Sequence, residues 1–276
     1  MLATGAAAVT LEDNADQPVL EPAVGETPLW GHTRLTGLYP AGADMASVLQ
    51  AFPAALLEHT NQRVEILEDK DWEREWMQHY RPMQFGQRLW VCPSWLEPPD
   101  PGAVNLLLDP GLAFGTGTHP TTALCLRELD GIQLDQQIAV DYGCGSGILA
   151  VAALKLGAAR VLGVDNDPQA LAASCDNATR NGIAAARLPV ALPEQVEQAA
   201  WAGQADLVIA NILAGPLIEL SGTLLTFLKP GGTLLLSGLL LSQADTLCAH
   251  YADHIALQIA GENEGWVCLR GRYTGS

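Results

Sequence analysis

Three glycines two residues apart, Gly143, Gly145 and Gly147, lie between an aspartate, Asp141, and an apolar stretch. Glycine takes positive φ freely and brings backbone close to a ligand, because no Cβ intervenes. The free N–H groups of a helix start then favour a carboxylate or another anion. Gln137 to Val140 reads as a short strand. Ile148 to Leu156 repeats apolar residues at helical spacing until Gly157 stops it, so the order is strand, glycine turn, helix. The dinucleotide fingerprint needs its third glycine where Ile148 stands, which disfavours a nicotinamide or flavin cofactor. A second acid, Asp165, closes the next β-type stretch, Arg160 to Val164.

Asp141, the glycine triplet and Asp165 together resemble the S-adenosylmethionine loop of class I methyltransferases. That resemblance implies that Gly143 and Gly145 pass under the methionine and ribose parts of the cofactor, and that Asp165 accepts hydrogen bonds from the ribose hydroxyls. Downstream of Leu108 to Gly117, Pro120 suits a first helical position, with Thr118 or His119 at the cap and Thr121 and Thr122 in the first turn. A helix start is an anion site, so the methionine carboxylate is the expected occupant and Thr122 the expected contact. Asp206 to Ala210 is a continuous apolar strand apart from its first residue, with Asn211 at its carboxyl end, where ligands of open α/β sheets collect. Asn211-Ile212-Leu213-Ala214 stands where amino-methylating enzymes often carry Asn or Asp followed by Pro-Pro-aromatic. The missing triplet argues against methylation of base amines or glutamine, while the Asn211 carbonyl can still hold an amine or contact the cofactor.

These residues need a framework. Pro168 to Asn181 reads as a helix capped by Asp167, and Arg187 to Leu192 as a third strand. Leu217 to Leu228 is a helix, Lys229-Pro230-Gly231-Gly232 a turn, Thr233 to Ser237 a fifth strand and Leu240 to Tyr251 a further helix. Ile255 to Ile259 and Trp266 to Arg270 pair as an antiparallel hairpin. The expected fold is α/β: a doubly wound, seven-stranded, mostly parallel sheet of the class I methyltransferase, Rossmann-like kind, with a small amino-terminal α+β domain.

The first residues have another texture. Ala7 to Glu12 and Trp30 to Tyr39 are β-like, with proline joins at Pro18, Pro22 and Pro28. Asp44 to His59 is helix-like and Gln62 to Leu67 a closing strand. Trp72 and Trp76 share one face of a charged helix, Arg88 to Trp95 is a strand, and Pro98 to Gly102 is an exposed turn. The expected domains are 1–67 for substrate recognition, 68–82 as linker helix and 83–276 for catalysis.

Composition narrows the function. Formal net charge is −17 with only 14 Lys and Arg, which lacks the basic footprint of phosphate neutralisation, so a nucleic acid is not the expected substrate. A basic protein partner suits that field. The six cysteines have no C-x-x-C spacing and read as small apolar fillers in a reducing compartment; no metal site is expected. No run is long and apolar enough to span a bilayer, and the start lacks a secretory pattern, so a cytoplasmic protein that avoids membranes is expected, as a monomer.

Leu108 to Thr122, Asp141 to Gly157 and Asn211 to Leu217, backed by Asp69 to Met77, resemble the methyltransferases of large-subunit ribosomal protein 11, the bacterial PrmA type, over nearly the whole chain from about Ala7. The resemblance implies transfer of methyl groups from S-adenosylmethionine to the α-amine and certain lysine amines of that protein, up to trimethylation. It puts the family's cofactor contacts on Thr122, Gly143, Asp165 and Asn211. Members usually begin with a further strand and most of a helix, whereas this chain opens as if inside that helix; the expectation is either a shortened amino-terminal module or a wrong start site, which bears on protein docking and not on the methyl-transfer site. An in-line methyl transfer needs alignment and desolvation more than a base. No catalytic residue is assigned; His119 or water could take the proton. Small-molecule or RNA methyltransferases share the fold, as would a binding module that has lost turnover, which a cofactor titration without product would single out.

Overall fold

A computed structural model of the chain describes residues 1–15, 29–58, 60–67, 80–109 and 117–275. The proline joins at Pro18, Pro22 and Pro28, the helix bearing Trp72 and Trp76, and Pro110 to Thr116 of the threonine-rich motif lie outside the described residues. The chain divides into two compact units, Met1–Trp72 and Glu73–Ser276.

In the first unit, β1 (Ala8–Asp13) and β2 (Thr33–Leu38) form an antiparallel pair running from Ala8 opposite Leu38 to Asp13 opposite Thr33. The helix expected over Asp44 to His59 is two pieces, α1 (Met45–Gln50) and α2 (Ala54–Leu57). Pro53 stands between them; it lacks an amide donor and its ring clashes with the preceding turn, so one continuous helix cannot pass. Asp44 starts α1 by accepting from the Ala46 N–H at 3.1 Å. The strand expected over Gln62 to Leu67 has no ladder among the described residues. Alternating Val64 and Ile66 mark a strand, but a strand exists only with a partner edge.

The second unit opens with a three-stranded sheet of β3 (Met83–Phe85), β4 (Leu89–Cys92) and β5 (Val104–Leu107), of which the sequence shows only the middle member. Then comes α3 (Pro120–Gly131), β6 (Ile138–Tyr142), α4 (Ile148–Lys155), β7 (Arg160–Val164), α5 (Pro168–Arg180), β8 (Val190–Ala191), α6 (Gln198–Trp201) and β9 (Ala205–Asn211). Next are α7 (Ala214–Glu219), α8 (Ser221–Phe227), β10 (Leu228–Leu240), α9 (Ala244–Tyr251), β11 (Gln258–Asn263) and β12 (Trp266–Arg272). Seven strands pair in the order β11-β12-β10-β9-β6-β7-β8. Only β12 runs against its neighbours; the other pairings are parallel.

The continuous apolar run of β9 explains its central place. Leu207 and Ile209 enter a core with Ala139, Val161 and the apolar faces of α3 and α4. Val208 and Ala210 point the other way, into a core with Leu217, Leu224, Phe227 and Tyr251. Both faces are therefore covered, and each fully buried aliphatic side chain stabilises the fold by roughly 1.5–3 kcal/mol.

Several boundaries differ from expectation. Lys229-Pro230-Gly231-Gly232 is not a free turn but the irregular start of β10, whose register to β9 jumps between Leu228 and Thr233. Gly231, at φ 80°, takes the kink. The third strand shrinks to Val190–Ala191, because Ala185–Arg187 closes a 3-10 turn. The helix expected from Leu217 to Leu228 is split at Leu220. In the hairpin, Ile255 makes only an isolated bridge to Tyr273, and β11 extends to Asn263.

Candidate active site

The strand order reverses direction between β6 and β9, and the loops leaving their carboxyl ends sit side by side. Such a switch point is where open α/β sheets bind ligands. Gly143, Gly145 and Gly147 all adopt positive φ, at 80°, 53° and 76°. The N–H groups of Gly143 and Cys144 both donate to the Val164 carbonyl, at 2.7 and 3.0 Å, which ties the loop to the end of β7. A Cβ on Gly143 would be driven into the side chain of Ile212, the residue after Asn211. The glycine loop and the end of β9 thus touch.

Helix α5 braces the loop from below. The buried Ser174 hydroxyl donates to the Gly145 carbonyl at 3.0 Å, and the Asn177 amide donates to the Ser146 carbonyl at 2.8 Å. Sequence reasoning passed over both residues. Their signal was there: polar side chains three apart on the face that also buries Ala170 and Ala178. At the far end of α5, the Asn181 side chain exchanges two hydrogen bonds with the Leu107 backbone, at 2.8 and 2.7 Å, locking the helix to the three-stranded sheet.

Asp165 follows β7 directly. One carboxylate oxygen accepts from Gly145 N–H at 2.8 Å and the other from Asp167 N–H at 3.0 Å. Each oxygen keeps a lone-pair site for a further donor, such as a hydroxyl. Asp141 is fully buried, and its Oδ2 accepts from Ala150 N–H in the first turn of α4 at 3.0 Å. Its Oδ1 has no hydrogen-bond partner. Burial pushes its carboxyl up to about 7; the Ala150 hydrogen bond opposes that and the Asp165 charge adds to it.

On the other side stands the start of α3. His119 is its N-cap, with Nδ1 2.7 Å from the Thr121 hydroxyl, and Pro120 takes the first helical position. The His119 ring packs edge-on against Trp266, centroids 5.1 Å apart. Partial burial lowers its pKa while the charge of Glu264 pulls it up. A neutral imidazole can accept a proton. Thr122 is buried in the next position, and the Asn211 amide donates to its hydroxyl at 3.3 Å. The carbonyl oxygen of Asn211 is buried without a donor.

Thr122 and Asn211 therefore touch, as do Gly145 and Asp165, and Ile212 against Gly143 joins the two groups. The site offers two orphan oxygens, on Asn211 and Asp141, to N–H or cationic groups, and a helix start to an anion. Cys144, beside the loop, is not a nucleophile: burial holds its thiol protonated, its pKa pushed up to about 12. Of the other cysteines, Cys92, Cys125 and Cys268 are buried fillers as expected, whereas Cys175 is exposed. Among the described residues no helix is long and apolar enough to cross a membrane.

The sequence profile described as "Ribosomal protein L11 methyltransferase (PrmA)" matches residues 1–274. The chain is 56% identical to the ribosomal protein L11 methyltransferase of Tolumonas auensis over 271 residues, 98% of this chain and 91% of that protein. It is 54% identical to the protein of that name from Vibrio cholerae over 274 residues, 99% and 92% of the two chains. Among solved structures, the ribosomal protein L11 methylase of Lactobacillus delbrueckii subsp. bulgaricus superposes with a TM-score of 0.60 at 32% identity, covering 71% of this chain and all of the other. With a profile that spans both units and relatives above half identity along nearly the full length, the chain belongs to the ribosomal protein L11 methyltransferase family.

Proposed function

We propose that this protein transfers methyl groups from S-adenosylmethionine to the α-amine and lysine ε-amines of ribosomal protein L11, up to trimethylation. The observation that carries the reading is the joined pair Thr122 and Asn211, with its orphan carbonyl, set against a glycine loop whose Gly145 bonds Asp165. When bound, the cofactor supplies an electrophilic methyl group on a sulfonium. Asp165 holds the ribose hydroxyls on the lone pairs its two backbone donors leave open. Gly143 and Gly145 let the backbone pass close beneath the methionine and ribose parts. Thr122 and the start of α3 take the methionine carboxylate, and the Asn211 carbonyl accepts from an ammonium or amine.

The chemistry then needs a neutral amine aimed in line at the methyl group. A lysine, with an ordinary pKa near 10.4, must lose its proton, while an α-amine near 7.7–8.0 is already partly neutral. His119, whose pKa burial lowers, is suited to accept that proton, directly or through water. Residues 1–67 dock the protein substrate and 83–276 carry out the transfer; the net charge of −17 favours a basic protein over nucleic acid. The reading includes a cytoplasmic, monomeric enzyme.

The test is incubation with labelled S-adenosylmethionine and purified ribosomal protein L11, followed by intact-mass and peptide mass spectrometry. Methyl increments on its amines, lost in Asp165→Ala, are the expected result. An unlabelled L11 in the presence of intact cofactor binding would retire the substrate assignment.

A further inference from the structure

The hairpin of β11 and β12 closes with Asn263 opposite Trp266, leaving a two-residue turn, Glu264-Gly265, with φ of 53° and 78°. Positive φ at both central positions is the geometry that selects Asn-Gly or Asp-Gly. Glutamate fits it poorly, because a longer side chain with a Cβ gains no local hydrogen bond to offset the left-handed backbone. Among the described residues only Gln136 shares this condition. A residue that its own turn disfavours is a candidate for function.

Its place supports that. Trp266 pairs with Leu240 of β10, and Ser237 of β10 pairs with Asn211, so the turn projects beyond the carboxyl edge that carries the candidate site. Leu241 N–H pins the turn by donating to the Gly265 carbonyl at 2.8 Å. Trp266 packs on His119, the cap of the helix bearing Thr122. Glu264 is exposed, within electrostatic reach of His119, and no lysine or arginine among the described residues pairs with it.

We infer that Glu264 is a specificity-determining residue of the methyl-transfer site, a carboxylate at the rim that attracts the protonated amine of the substrate before it loses its proton beside His119. This rests on the reading of the chain as an amine methyltransferase. The turn keeps an ill-fitting residue because the alternatives that fit without a carboxylate, Asn or Gly, would present no charge, and Asp would hold it closer to the backbone.

The experiment compares wild type with Glu264→Asn, Glu264→Gln and Glu264→Asp, using purified ribosomal protein L11 and S-adenosylmethionine. Glu264→Asn should raise Tm by about 2–4 °C, as expected for relief of local strain in a chain of this size. The same variant should raise KM for the protein roughly fivefold, the scale of a partly exposed ion pair, with KM for the cofactor unchanged and kcat nearly so. It should also flatten the salt dependence of kcat/KM. Glu264→Gln should share the KM effect without the gain in Tm, and Glu264→Asp should gain Tm but recover only part of the affinity, because its shorter side chain holds the charge nearer the backbone. An active wild type whose KM for the protein is the same in the Asn and Gln variants overturns the inference alone. A wild type that binds cofactor yet methylates no amine overturns both it and the function it rests on.

Discussion

The two ends of the central sheet handle their polar groups in opposite ways. At the amino end, Asp206 of β9 accepts from the Ile138 N–H at 2.9 Å and pairs with Lys229, while Arg270 pairs with Glu128 at 2.9 Å. A cleft of about 700 Å³ opens there, lined by Gln137, Asp206, Lys229, Arg270 and Arg272 among others, yet most of its charges already have partners. At the carboxyl end, buried oxygens of Asp141 and Asn211 have none. Leaving a buried polar atom unpaired costs about 1–3 kcal/mol; among the described residues near the amino-end cleft, the buried Asp130 Oδ1 lacks a hydrogen bond but has the Arg88 guanidinium 3.3 Å away, whereas the Asp141 and Asn211 oxygens have no such partner. The size of a hollow says less about function than the balance of donors and acceptors around it.

That contrast can be broken by substitution. The largest effect is expected at the carboxyl end for Gly143→Ala, where positive φ and the Ile212 side chain both oppose a Cβ. Methyl transfer should fall by at least roughly 100-fold, with a stability loss of about 1–3 kcal/mol; a variant with full activity would show that the loop tolerates a side chain. Next comes pH. Native Asp141 keeps its proton up to about 7, while in the unfolded chain it titrates near 3.9, so the native state binds more protons between these values. Its contribution is therefore fully present below about pH 4 and is lost as pH rises through 7. Relative to Asp141→Asn, the unbound wild type should lose up to about 1.4 kcal/mol per pH unit in that window by urea unfolding. Parallel curves for the two proteins would mean that Asp141 is ionised when buried. The smallest effect is expected at the amino end, where Asp206→Ala should cost about 1–2 kcal/mol in stability and leave the KM for cofactor unchanged. A raised KM there would erase the division between the two ends.

Much of this site could be read from residue types. The left-handed backbone of the loop requires glycine, and Gly143, Gly145 and Gly147 stand there; Pro120 and Pro168 open helices because a missing N–H costs nothing at a first position. Asp165 and Asn211 are legible because an apolar strand that ends in a polar residue marks the mouth of an α/β sheet. Less legible were the three- and four-residue strands β3 and β5, too short for a period of two to show, and the divided helices at Pro53 and Leu220. Ser174, Asn177 and Asn181 read as ordinary helix surface until the loop and β5 pack on them.

By itself the sequence determined the local events: which turns hold glycine, where helices start, which strands are apolar on both faces and so belong inside the sheet. These follow from interactions within a few residues, which composition and spacing express directly. The tertiary structure alone decided what lies across the chain. It set Thr122 against Asn211, residues 89 apart in sequence, and fixed Gly143 by Ile212. It also put Glu264 of the last hairpin above the helix that His119 caps. Such contacts depend on strand order, and strand order is settled by how whole faces bury against one another rather than by any residue's own preference.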